Sequence, residues 1–287
     1  MPIIPKTSLT VLLLALFSVA MAGTGDEVLQ GDALTPLRET GHVEGYMSLP
    51  VGDAAVDATF IPDKLGAAYG KVLILHDSGG SIDSRDIIHT IRTALPEAGW
   101  STMTVALEFE LTPRLYLSPA ELTETIPATA ISEEQPEQAA ETTAAADDVL
   151  QQDVENTNAS RVSTALAYLN AQQPGPTVLM ALGGSAELGN AIVSQAGEQR
   201  GLIWVRPDLS LSELPDADFI LDIAGEALGV TNNQAQSRRV LMRKNNMTGY
   251  SQRLITGADY PFSGLEQTVL TYVRAWLNRH FVTEGKN

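Results

Sequence analysis

The 287 residues contain no cysteine. That excludes disulfides, thiolate zinc ligation, a cysteine nucleophile and a lipid anchor on an N-terminal cysteine. Histidine is scarce, at four residues, so a site that needs an imidazole has few places to find one. Positive charge is in short supply as well. Against 35 Asp and Glu stand 18 Lys and Arg, a formal net charge of −17. No basic stripe is available to neutralise phosphates, which argues against nucleic acid as the main partner. Beyond the N-terminus, no segment reaches the ~18 uninterrupted apolar residues of a membrane span. What is present is a composition 44% hydrophobic and 18% charged, globular and too apolar for a disordered chain.

The N-terminus carries an address. Lys6 is the only charge before Asp26, and Leu9 to Ala20 is an unbroken apolar or small run. Ala20-Met21-Ala22 fits a small-x-small cleavage pattern just before polar Gly23-Thr24-Gly25-Asp26. This reads as a secretory signal peptide over residues 1–22, with a hydrophobic part too short for a stable span. A tail (23–39), one domain (40–281) and a short C-terminal tail (282–287) follow. A cysteine-free, acidic, exported chain suits a bacterial periplasm. Two glycosylation-like triplets, at Asn158 and Asn246, are read as chance.

Strand and helix patterns alternate along the domain. Gly45 to Val51 and Ala58 to Ile61 read as an antiparallel opening pair. Lys71 to Leu75 (KVLIL) carries the continuous apolar run Val72 to Leu75, the mark of a buried central strand in a parallel sheet. Asp83 or Ser84 is expected to cap a helix carrying Ile87, Ile91 and Leu95 on one face, ended by Pro96 and Gly99. Ser101 to Leu107 is the next strand. Further on come a helical stripe at Val162, Ala165, Leu166 and Leu169, then strands at Thr177 to Leu182, Leu202 to Val205, Phe219 to Ile223 and Gln252 to Thr256. A helix through Ile192 follows Gly183-Gly184. A basic helix near Asn233 to Asn246 and an amphipathic helix from Leu265 to Leu277 complete the order. This alternation means an α/β fold with a mostly parallel sheet and helices on both faces.

One stretch interrupts the alternation. From Glu108 to Glu155 there are twelve acids and one base, Arg114. Its middle is rich in Ala, Thr, Glu, Gln and Pro, too polar to order itself by burial. The expectation is a mobile acidic insertion over about 109–150. It serves solubility, covers a pocket, or mediates assembly in the envelope.

The pattern resembles an α/β-hydrolase: two antiparallel strands, a strand ending in His76, and a strand–turn–helix at Thr177 to Ile192 where a nucleophile elbow belongs. More closely, it is similar to a bacterial exported family classed as domain of unknown function 3530. The matching stretches are LILHDSGGS (Leu73 to Ser81), IIHTIRTALPEAGWSTMTVAL (Ile87 to Leu107), VLMALGGSA (Val178 to Ala186), and YSQRLITGADYPF through RAWL (Tyr250 to Leu277). The resemblance implies the fold over about residues 40–281 and weakens across the acidic insertion. It implies no particular reaction.

An elbow nucleophile sits on a tight strained turn with small residues two positions before and after it. One register centres on Gly183, between Ala181 and Ser185, and has no side chain to offer. The other centres on Ser185, which has a hydroxyl but places Glu187 where a small residue belongs. The length of the strand favours Gly183. The resemblance also places a base in the loop after the last strand. That loop, Gly257-Ala258-Asp259-Tyr260-Pro261, has no histidine. His42 precedes the domain core, His89 lies on the first long helix, and His280 lies almost a helix past the base position, as a surface residue. His76 ends a central strand on the edge where active sites gather. Asp222 or Glu226 stands near the acid position.

Two functional readings follow. In the first, the fold has lost its triad and binds a small ligand or an envelope protein. In the second, an unusual serine hydrolase uses Ser185 with His76, the ring oriented by Asp77 or Asp222. Asp77 also replaces the glycine of a His-Gly oxyanion loop, and a carboxylate there opposes an oxyanion. Ser78 and Ser81 shape a Gly-rich turn. Gly183-Gly184-x-x-x-x-Gly189 lacks the lysine of a phosphate loop and the spacing of a dinucleotide site. Asp83 and Asp86 read as first-turn helix acids rather than metal ligands. No cofactor or metal is expected.

Overall fold

The computed structural model describes residues 43–109, 138–227, 231–258 and 262–282, with the backbone alone for 138–152. The expected signal peptide and tail lie outside the described residues, as does His42. So do residues 110–137 of the expected insertion.

The opening hairpin pairs β1 (Tyr46–Val51) with β2 (Ala54–Ile61). There follow β3 (Gly70–Leu75), helix α1 (Ile87–Ala94) and β4 (Trp100–Val105). Helix α2 (Gln138–Gln172) leads to β5 (Thr177–Leu182), α3 (Ser185–Ile192) and β6 (Arg200–Val205). The chain ends through β7 (Phe219–Glu226), α4 (Asn233–Lys244), β8 (Tyr250–Thr256) and α5 (Glu266–Phe281). Among the described residues, eight strands form one sheet in the order β1-β2-β4-β3-β5-β6-β7-β8. Only β1–β2 and β2–β4 pair antiparallel; the other pairs are parallel.

The apolar strands explain the two-faced core. Successive side chains of a strand point to opposite faces, and every residue of β3, β4 and β5 is buried. Leu73, Leu75, Leu179 and Ala181 face one layer with Val162, Leu166 and Leu169 of α2. Val72, Ile74, Val178 and Met180 face the other, with Ile88 and Ile91 of α1 and Val273 and Leu277 of α5. Helices therefore cover both faces, as the alternation of elements requires.

Three expectations shift. Helix α1 is capped by Asp86, whose carboxylate accepts from Ile88 N–H at 2.9 Å. Asp83 cannot serve as the cap because its carboxylate is taken by buried Arg92 and by His89. Helix α2 begins at Gln138, inside the stretch expected to be unstructured. Alanine, glutamate and glutamine are good helix formers. His280 is half-buried rather than a surface residue, packed between Phe219 and Trp276.

The ends of the interrupting segment are held together. Asn158, buried in α2, accepts from Glu108 N–H at 2.8 Å and donates to Glu108 C=O at 2.7 Å. Arg161 donates to Ala106 C=O at 3.0 Å and pairs with the Glu108 carboxylate.

Candidate functional site

The parallel strands β3, β5 and β6 end side by side, and their loops meet at the carboxyl edge of the sheet, where ligands bind in open α/β sheets. Strand β5 runs straight into Gly183, whose φ of +54° is left-handed backbone. That conformation disfavours any residue with a Cβ. Gly183 N–H donates to Val205 C=O at 3.1 Å, and Gly183 C=O accepts from Asp208 N–H at 3.1 Å, which ties the turn to β6 and its loop. The left-handed residue of the turn is therefore Gly183. Ser185 lies two positions later, as the first residue of α3.

The space above Gly183 is filled. A Cβ built there would lie 2.0 Å from Asp77 Oδ2 and 2.5 Å from Asp77 Oδ1. The Asp77 carboxylate, carried on the loop after β3, is seated where an elbow side chain would project. Its Oδ1 accepts from Ser78 N–H at 2.8 Å and Gly184 N–H at 3.0 Å. Its Oδ2 pairs with Arg206 Nη2 at 2.7 Å. Gly184 follows the turn residue, the position whose N–H stabilises an oxyanion at a hydrolase elbow. Here that N–H serves a carboxylate of the same chain.

The expected catalytic residues are not brought together. Ser185 is 2% exposed. Its hydroxyl faces the carbonyls of Leu182 (2.8 Å) and Leu75 (3.0 Å) and accepts from Leu182 N–H (3.0 Å). It closes the start of α3 against the ends of β5 and β3. His76 is 4% exposed. Its Nε2 accepts from Leu107 N–H at 2.9 Å. The proton therefore lies on Nδ1, which donates to Asp77 C=O at 3.0 Å. With both ring nitrogens bonded to backbone, neither has a lone pair for a serine proton in this geometry. Burial pushes the imidazole below its usual pKa, against the raising effect of the Asp77 carbonyl and carboxylate. The ring is oriented by the Asp77 carbonyl, not by its carboxylate.

Asp222 belongs to another cluster. It is fully buried on β7 and meets Arg238 through two hydrogen bonds of 3.0 and 3.1 Å. Tyr250 Oη and Gln252 Nε2 donate to it at 2.8 and 2.9 Å. Burial first, then the Asp222 charge, raises the Tyr250 pKa well above the phenol range. Three strand spacings separate β7 from β3, about 14 Å at ~4.8 Å each. Asp222 thus supports the packing of α4 rather than orienting His76.

Beside the Asp77 carboxylate lies a cavity of about 290 Å³. Ile87, Ile88, Leu182, Val205 and Phe262 give it apolar walls, and Asp77, Asp86 and Arg206 supply charge. Sequence reasoning passed over Arg206. Its signal was its place, at the end of a central parallel strand. Its φ of +49° is unusual for a residue with a side chain. Among the described residues, no cluster of histidine and carboxylates could hold a metal ion.

The chain is similar to known proteins at two levels. The family described as "Protein of unknown function (DUF3530)" matches residues 43–279. No curated protein sequence matches. Among solved structures, XC6422 from Xanthomonas campestris, described as an α/β serine hydrolase without lid, is 12% identical with a TM-score of 0.56. The match covers 83% of this chain and 95% of that one. Dienelactone hydrolase from Anabaena variabilis is 18% identical with a TM-score of 0.54, over 83% and 98% of the two chains. A soluble variant of monoglyceride lipase from Saccharomyces cerevisiae is 13% identical with a TM-score of 0.53, over 84% and 96%. At these identities the likeness is one of fold: the α/β-hydrolase fold.

Proposed function

The chain belongs to the family described as Protein of unknown function (DUF3530), and on that premise we propose that it is an exported α/β-hydrolase-fold protein that works by binding rather than by serine catalysis. Export rests on the apolar run and cleavage pattern within residues 1–22. The observation that carries the binding reading is the Asp77 carboxylate seated on Gly183. A triad mechanism needs a nucleophile at the left-handed turn, a base within hydrogen-bond reach of it, and an empty oxyanion site. At this turn the nucleophile position is glycine and a carboxylate accepts from Gly184 N–H. The residue that resembles a base, His76, has both ring nitrogens bonded to backbone. The cavity lined by Ile87, Leu182, Val205, Arg206 and Phe262 is the binding site in this reading.

The test is intact-mass analysis of the purified chain after exposure to a fluorophosphonate, with a Ser185→Ala variant beside it. The expected result is no adduct on the folded protein. An adduct that disappears in Ser185→Ala would overturn the reading in favour of a serine hydrolase with a displaced elbow.

A further inference from the structure

The binding reading leaves open what enters the cavity, and the seat of Asp77 speaks to that. We propose that Ser78 N–H, Gly184 N–H and the Arg206 guanidinium form a receptor for the carboxylate of a small apolar acid, which Asp77 fills until that ligand displaces it. The inference rests on the binding reading for its cavity.

The donors come from three separate segments: the loop after β3, the turn after β5 and the end of β6. They converge on the two oxygens of one carboxylate, at 2.8, 3.0 and 2.7 Å. Charge-assisted hydrogen bonds of this kind are the strong ones, and a guanidinium suits a planar carboxylate. The occupant is not locked in. The Asp77 side chain is 17% exposed and that of Arg206 22%. Beyond Ser78, Gly79 and Gly80 carry no side chain to block rotation of Asp77 toward water. Exchange of one carboxylate for another leaves the donors satisfied and returns Asp77 to water, so the main cost is immobilising the free ligand.

The cavity sets the rest of the ligand. About 290 Å³ is roughly ten times the volume of one liquid water, room for a short hydrocarbon body. Ile87, Leu182, Val205 and Phe262 surround that space. A bare carboxylate must compete with a tethered one, which has a high effective concentration. An apolar acid adds burial of about 0.8 kcal/mol per CH₂. The left-handed backbone of Arg206 fits the same picture, since strain of this kind gathers at ligand clamps.

The experiment compares acetate and hexanoate on the full mature chain, with chloride at matched ionic strength as the control. In Asp77→Ala, acetate is expected to raise the melting temperature saturably beyond chloride. Adding Arg206→Gln should weaken that acetate binding at least tenfold. In the parent chain, hexanoate is expected to bind at least tenfold more tightly than acetate and to move the Ser78 and Gly184 amide proton resonances. Those resonances carry the test alone if Asp77→Ala does not fold. Hexanoate at saturation leaving both amides unmoved would overturn the proposal. So would an acetate effect undiminished by Arg206→Gln. A fluorophosphonate adduct would instead overturn the non-catalytic reading, so the two failures are distinguishable.

Discussion

At the residue scale, Gly183 and the Asp77 carboxylate are closely fitted. Gly183 must be glycine twice over, for its positive φ and for the carboxylate 2.0 Å from any Cβ. Gly183→Ala is expected to lower stability by about 2–3 kcal/mol, of which left-handed backbone accounts for about 1–2. In an Asp77→Ala background only the backbone part should remain, leaving a coupling of about 1 kcal/mol in a double-mutant cycle read by urea denaturation. Additive effects would contradict the close contact. His76 makes a pH prediction. Burial lowers its folded pKa, whereas the unfolded chain takes up the proton near the ordinary value of ~6.5. The unfolded state therefore binds more protons below that pH. Stability should hold above pH ~7 and fall as pH drops through ~6.5, until the native ring also protonates. His76→Gln keeps an acceptor for Leu107 N–H and should flatten this slope, measured as the urea midpoint between pH 7.5 and 5. Equal slopes in parent and variant would remove His76 as the cause.

At the element scale, α4 is anchored by an ion pair that its sequence conceals. Arg238 is 2% exposed and meets fully buried Asp222. Removing one partner of a buried pair strands the other, at about 3–5 kcal/mol. Arg238→Met is expected to cost that much by chemical denaturation. Arg238→Met with Asp222→Leu should recover part of it, as a pair of apolar residues does in place of a buried ion pair. The strands were legible because the cores of β3, β5 and β6 are continuous apolar runs, which have few other uses. The start of β2 (Ala54 to Asp57) was not, since its alanines and aspartate carry no strand signal. The cap of α1 was misread because the partner of Asp83, Arg92, is supplied by the helix itself. The sequence shows α4 only as a basic helix, and nothing in Arg238 sets it apart from Arg239 except which of them meets Asp222. At the site, Gly183 was readable from the end of β5. That Asp77 would seat against it was not, because Gly184 and Asp77 lie 107 residues apart. Ser185 looked available by type, and only its burial and backbone partners show how its hydroxyl is used.

At the scale of the whole molecule, the two core layers draw on residues up to Phe109 and again from Ala159 onward. Glu108 and Asn158 meet directly, and Asp153 is five residues, about 7.5 Å of helix, before Asn158. A Gly/Ser linker of about eight residues can reach ~26 Å and so can replace residues 110–152. The expected melting temperature lies within ~5 °C of the parent by differential scanning calorimetry, since closing a loop depends only weakly on its length. A larger drop would mean that the excised stretch is part of the cooperative unit. The Asn158 clamp has an evolutionary consequence. Where the two ends of a segment are tied at one asparagine, a change in the segment's length or charge is expected to leave the sheet undisturbed. Residues 110–152 hold nine of the 35 acids and a single arginine. The protein's overall charge is thus expected to be open to change by mutation in one stretch while its stability is held by another, with Asn158 at the join.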